Sequence, residues 1–143
     1  MEITVTREHE ICCGHRVVGH EGKCRNLHGH GYVFEFTVAA PELDSIGRVI
    51  DFSVIKSGLC QWLEDRWDHK TLLWENDPQA LQLKELLPDS IVIVPFNPTA
   101  ENIGKFLLWT IGRIVLRPPL RLVTVKVHET RKCSATVSGS SEG

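Results

Sequence analysis

The sequence lacks any C-x-x-C pair among its five cysteines (Cys12, Cys13, Cys24, Cys60 and Cys133), and their odd number leaves no complete disulfide framework. This argues against a thiolate zinc site or a disulfide-stapled secreted fold, and for reduced thiols in the cytoplasm. A basic excess is missing too. Sixteen Lys and Arg face 18 Asp and Glu, so a formal net charge of −2 gives no source for non-specific binding to nucleic acid phosphates. No apolar run approaches the roughly 20 residues that span a bilayer. The opening Met1-Glu2-Ile3-Thr4-Val5 alternates instead of running from charge into an apolar stretch, so neither membrane insertion nor secretion is expected. No internal repeat occurs, and low complexity is confined to 138–143, expected to be a disordered tail. With 42% hydrophobic residues in 143, residues 1–137 are expected to form one domain with a core of its own.

Hydrophobic periodicity orders the rest. Residues 3–15 alternate, with Ile3, Val5, Ile11 and Cys13 on one parity, and predict a strand. Residues 27–39, rich in Val33, Phe34, Phe36 and Val38, predict a second, and the glycine-bearing loop between them is too long for a tight turn. Asp51 precedes Phe52, Ile55, Leu59, Trp62 and Leu63 at helical spacing and reads as an N-cap. The polar stretch from Glu75 to Ser90 reads as a long connection, and Ile91–Val94 as a short accessory strand. Asn97-Pro98-Thr99 opens a second helix with Ile103, Phe106, Leu107, Ile111 and Ile114 on one face, ended by Pro118-Pro119. Strands over 121–129, with Val123, Val125 and Val127 on one parity, and over 133–138 complete a ββααββ order. The fold class is α+β: an antiparallel sheet with two helices on one face.

The informative excess is histidine, with seven residues. His28 and His30, in Leu27-His28-Gly29-His30-Gly31, point to the same side of a strand. A hairpin brings His15, at the end of the first strand, beside them. Three imidazoles with a vacant fourth position are the donor set of a catalytic zinc. An H-x-H pair alone is more often surface decoration. Gly29, which allows close backbone approach, and the third histidine favour metal. His9 and His20 are spare candidates, His20 reading as solvated in the loop. Cys24 lies four residues before His28 between Lys23 and Arg25, whose charges favour a thiolate. Asp68-His69 pairs a carboxylate with an imidazole, an acid–base arrangement that carries little weight alone because adjacent residues often diverge.

Together these segments resemble the 6-pyruvoyl-tetrahydropterin synthase / 6-carboxytetrahydropterin synthase family. The resemblance rests on His15, Gly22-Lys23-Cys24-Arg25-Asn26-Leu27-His28-Gly29-His30, Ile50-Asp51-Phe52, Trp67-Asp68-His69, Asn97-Pro98-Thr99-Ala100-Glu101-Asn102 and Val127-His128-Glu129-Thr130, in order along nearly the whole chain. A cysteine four residues before H-x-H looks like the bacterial 6-carboxytetrahydropterin synthase type. The segment after His69, Lys-Thr-Leu-Leu-Trp-Glu-Asn-Asp, is longer than the family's usual ending.

The resemblance implies a tunnelling fold, with strand pairs of three subunits joined in a barrel and two trimers stacked as a homohexamer. It implies one zinc per chain on His15, His28 and His30, a catalytic thiol at Cys24, and an acid–base pair at Asp68 and His69. Glu129 is implied as the pterin anchor, with Thr99 and Glu101 near the same pocket. The implied substrate is 7,8-dihydroneopterin triphosphate, turned over toward 7-deazaguanine nucleosides. Two other readings stand beside it. Pyruvoyl-tetrahydropterin formation uses similar groups without carbon loss. A non-catalytic pterin or metal binder would need the ligands and Glu129, but neither Cys24 nor the Asp68–His69 pair. Lys23, Arg25, Lys126 and Arg131 are candidates for the phosphates. A P-loop is unsupported, since Gly22-Lys23 runs into Cys24.

Overall fold

The computed structural model describes residues 2–139; most of the expected tail, residues 140–143, lies outside the described residues. Strands β1 (Thr4–His15) and β2 (His28–Ala39) form a long antiparallel hairpin. A first helix, α1, follows as an α-helical turn Phe52–Ile55, a π-helical turn Lys56–Cys60 and a final stretch Gln61–Arg66. Next come β3 (Thr71–Trp74), α2 (Ala80–Leu86) and β4 (Ile91–Val94). Helix α3 runs through Ala100–Phe106, Leu107–Ile111 and Gly112–Val115. Strands β5 (Arg121–His128) and β6 (Ser134–Ser138) close the chain. The six strands lie in the order β4-β3-β1-β2-β5-β6. The four principal strands pair antiparallel, whereas β3 and β4 join β1 in parallel.

The ββααββ frame is thus present, with a strand–helix–strand unit inserted between its helices. Two expectations change here. The 75–90 connection contains α2, whose Leu81 and Leu86 are exposed, so no apolar stripe marks it in the sequence. Residues 71–74 form β3, too short to announce itself by alternation. Ser138, where the expected fourth strand and the expected tail overlap, belongs to β6 and pairs with Thr124 of β5, and the amide of Gly139 donates to the Val123 carbonyl.

Helices α1 and α3 cover one face of the sheet. Ile55, Leu59 and Leu63 of α1 and Ile103, Leu107 and Leu108 of α3 pack with Phe34, Phe36, Val125 and Val127 in one core. Burying such side chains contributes about 1.5–3 kcal/mol each. Asp51 caps α1, accepting from the Ser53 amide, and Thr99 caps α3, accepting from Asn102. Phe52 and Ile114, expected on the apolar faces, are exposed. The β5 parity also shifts. A register irregularity opposite Thr37 and Val38 skips Val123, so Leu122 is buried in the core and Val123 only partly covered.

The insert is tied to the end of β1 by a largely buried ion pair. Arg16 Nε donates to Asp77 Oδ2 at 2.6 Å and Nη2 to Oδ1 at 2.5 Å. The Arg16 guanidinium, against an opposing effect of burial, holds the Asp77 carboxyl below the usual carboxylate range. Its contribution to stability is therefore in place above the unfolded carboxyl's pKa and is lost as pH falls through the lower folded value. Replacing Asp77 with alanine leaves Arg16 unpaired and is expected to cost about 3–5 kcal/mol at neutral pH. Urea melts at pH 7 and at acid pH read both effects: the gap between parent and variant should shrink on acidification.

Candidate metal centre and its surroundings

The antiparallel register sets His15 directly opposite His28 and Cys13 opposite His30. Alternation then puts all three imidazoles on the helix-covered side, at the end of the hairpin where the apolar stack of Tyr32, Phe34 and Phe36 begins. Their ligating nitrogens lie within 4.8 Å of one another. His15 is fully buried, and the other two are partly covered.

The hydrogen bonds decide which nitrogen is free. His15 Nδ1 lies 2.6 Å from the Pro98 carbonyl and His28 Nδ1 lies 2.7 Å from the Asn26 carbonyl, so each Nδ1 carries the proton and donates. Both Nε2 atoms are left with lone pairs, and they face each other at 3.1 Å. His30 Nε2 is buried without a hydrogen-bond partner. Two lone pairs and a third, unpartnered ring nitrogen converging in a partly desolvated pocket are unfavourable alone and suited to a cation. Burial holds His15 and His30 below the usual imidazole pKa, outweighing the opposing pull of Glu129, so both favour the neutral, ligating form. These residues fit a metal.

Glu129, just past β5, reaches in with Oε1 3.4 Å from His15 Nε2 and 3.7 Å from His30 Nε2. It also borders a cavity of about 210 Å³ with Ala100, Glu101, Cys133, Ser134 and Ala135. Ligand pockets usually run from about 300 to 1,000 Å³, so this cavity is smaller than a usual ligand pocket. Glu101 lines it, whereas the Thr99 hydroxyl is engaged as the α3 cap. Cys24 is half-buried in a short 3₁₀ turn, Lys23–Arg25, and its carbonyl accepts from the Val17 amide at 2.8 Å.

Asp68 and His69 do converge. His69 takes a left-handed backbone with φ of 61°, which turns its ring back so that Nδ1 lies 2.8 Å from Asp68 Oδ2. Asp68 also accepts from the Cys12 amide at 3.0 Å, and the His69 amide donates to the Cys12 carbonyl at 2.7 Å. Desolvation pushes the Asp68 carboxyl up, but hydrogen bonds from His69 and Cys12 prevail and hold it below the usual range. The His69 side chain is 77% exposed. It borders a cleft with Cys12, Gly14, Gly29 and Gly31, which face the uncovered side of the sheet, and with Cys13 and the triad residue His30. Among the described residues, no hydrogen bond or ring contact joins it to the three histidines, although His30 lines the same cleft.

The remaining candidates fall elsewhere. His9 pairs with Glu64 at 2.7 Å, and His20 Nδ1 accepts from the Gly22 amide, so neither joins the triad. The close approach expected at Gly29 belongs to Gly14. A Cβ there would stand 2.7 Å from Thr71 Oγ1, against 3.4 Å to the nearest atom at Gly29. Sequence reasoning missed three participants. Tyr32 places its hydroxyl 3.2 Å from His15 Nδ1; its parity with His28 and His30 could have signalled it. Burial, then Glu129, Cys13 and Cys24, raise its phenol pKa. Cys13 is pushed up to about 12, chiefly by burial, and is an inert thiol. Asn97 and the Pro98 carbonyl have no signal in residue spacing.

A three-histidine cluster that could hold a metal, at the end of a hairpin and flanked by a thiol turn and a carboxylate, marks the candidate centre of this α+β chain. A family model described as 6-pyruvoyl tetrahydropterin synthase matches residues 4–140. The chain is 36% identical over 137 residues to the 6-carboxy-5,6,7,8-tetrahydropterin synthase of Rickettsia typhi, covering 94% of this chain and 99% of the relative. It is 30% identical over 132 residues to the protein of that name from Haemophilus influenzae, covering 88% and 92%. An uncharacterized protein from Wolinella succinogenes shares the fold, with a TM-score of 0.84 at 23% identity over 97% of this chain and 99% of that one. The chain belongs to the 6-pyruvoyl tetrahydropterin synthase family, and its architecture is the tunnelling fold. Among the described residues, no helix is long and apolar enough to cross a membrane.

Proposed function

We propose that the protein is a zinc-dependent 6-carboxy-5,6,7,8-tetrahydropterin synthase. It converts 7,8-dihydroneopterin triphosphate with release of acetaldehyde and triphosphate, on the route to 7-deazaguanine nucleosides such as queuosine. The observation that carries this reading is a thiol turn ending three residues before His28 of a histidine triad whose ligating nitrogens lie within 4.8 Å of one another, in a chain similar end to end to a relative of that name.

His15, His28 and His30 would hold a zinc ion, which when bound would supply Lewis acidity toward the substrate's side-chain hydroxyls. Glu129 accepts hydrogen bonds from the pterin's ring N–H and amino group through its two oxygens. Glu101 lines the same cavity. Cys24 exchanges the carbon-bound proton, and His69, oriented by Asp68, moves the hydroxyl proton. Loss of triphosphate, with transfer of side-chain hydrogen to the ring, and cleavage of the side-chain carbon–carbon bond with addition of one water then give the carboxylated pterin and acetaldehyde.

The Asp68–His69 pair opens onto a cleft of the uncovered sheet face that His30 also lines, and the cavity beside Glu129 is smaller than a usual ligand pocket. In this reading the pair serves the triad of a neighbouring subunit, and the barrel of a homohexamer closes both. The sheet also ends in unpaired edges at β4 and β6, a liability that a closed barrel removes. Solution scattering at micromolar concentration should give the mass of six chains. A monodisperse 16.1 kDa monomer would contradict the shared site.

Incubating the zinc-loaded protein with dihydroneopterin triphosphate, and identifying both the pterin and any aldehyde, tests the reaction. A carboxylated pterin with acetaldehyde supports it. A pyruvoyl pterin without acetaldehyde assigns the protein to the other activity of the family.

A further inference from the structure

We infer that Asn97 is a positioning residue for the Cys24 turn, an inference that rests on the catalytic reading of Cys24. The Asn97 carboxamide closes a reciprocal pair with a single residue of the loop after β1. The Val18 amide donates to Asn97 Oδ1 at 3.0 Å, and Asn97 Nδ2 donates to the Val18 carbonyl at 2.9 Å. Both backbone groups of Val18 are thus held by one side chain, in the way a neighbouring strand would hold them. The preceding residue passes this constraint on, because the Val17 amide donates to the Cys24 carbonyl at 2.8 Å. Among the described bonds, this is the tie between the Cys24 carbonyl and the base of the loop.

Asn97 is itself well anchored. Its carbonyl accepts from Asn102 Nδ2 at 3.0 Å and from the Thr99 amide at 2.8 Å, at the capped start of α3. The next carbonyl, that of Pro98, takes the His15 Nδ1 proton. Asn97-Pro98 therefore references the thiol turn and one triad imidazole to the same helix end. The side chain acts on the thiol turn, and the backbone acts on His15. A side-chain change at Asn97 should for that reason separate the two.

Asn97→Ala removes both Val18 bonds. Asn97→Asp keeps the acceptor for the Val18 amide but sets an oxygen against the Val18 carbonyl, and serves as the milder variant where alanine reduces solubility. Each is measured for zinc content, kcat and KM, and for the iodoacetamide alkylation rate at Cys24, mapped by peptide mass spectrometry with the buried Cys60 as internal reference. The expected result is unchanged zinc content, KM within about twofold, and kcat lower by about 10- to 100-fold, the range for misplaced reacting groups. Cys24 alkylation should rise at least threefold while that of Cys60 stays constant.

An unchanged Cys24 alkylation rate in a folded variant overturns the inference, as does a loss of kcat matched by loss of zinc. Cys24→Ala run in parallel separates the two readings. If it turns over substrate at the parental rate, the catalytic reading of Cys24 fails whatever Asn97 does. If it is inactive while the Asn97 variants keep parental kcat and alkylation, only the positioning role fails.

Discussion

Replacing Cys24 with alanine is expected to abolish most turnover while leaving zinc content and pterin affinity intact. Cys24 stands outside the triad, in a turn of its own, and the triad's hydrogen bonds run to Pro98 and Asn26, not to the thiol. The loss should therefore be confined to proton transfer, a contribution of about 10²- to 10⁴-fold. Glu129→Ala should fail differently. It leaves the pterin's paired donors without an acceptor, so binding weakens even where the thiol is present. Equilibrium binding of a pterin and steady-state kinetics on both variants distinguish the failures. Parental turnover by Cys24→Ala would make the thiol a bystander and leave a zinc mechanism driven by His69.

Replacing His28 or His30 with alanine is expected to take zinc from about one per chain to nearly none, and activity with it. Two imidazoles hold the ion far less tightly than three. The variants should stay folded. His28 and His30 lie at the hairpin's end, and the core formed by Phe34, Phe36, Leu107 and Val125 does not depend on them. His30→Ala even removes a buried nitrogen that has no partner without metal, so apo stability should hold or rise slightly. Metal analysis after dialysis, paired with thermal melts of apo and loaded protein, checks both statements. Full zinc occupancy in either variant would sink the triad as the site.

What the sequence determined by itself is local and periodic. Alternation through Ile11, Cys13 and His15, and through His28 and His30, was enough to put three imidazoles on one side of a hairpin, because a strand's side chains repeat every two residues. Asp51 and the Asn97-Pro98-Thr99 start announced their helices through cap chemistry that acts within three residues.

The tertiary structure decided whatever joins distant segments or breaks a period. The register irregularity opposite Thr37 and Val38 moved Leu122 into the core in place of Val123, and no residue type in β5 foretells it. The Asp68–His69 pairing turned on one left-handed backbone at His69. The tautomers of His15 and His28 depend on carbonyls, and every residue carries a carbonyl, so Pro98 and Asn26 leave no mark in the sequence. The grip of Asn97 on Val18 spans 79 positions of chain, a distance that only folding closes.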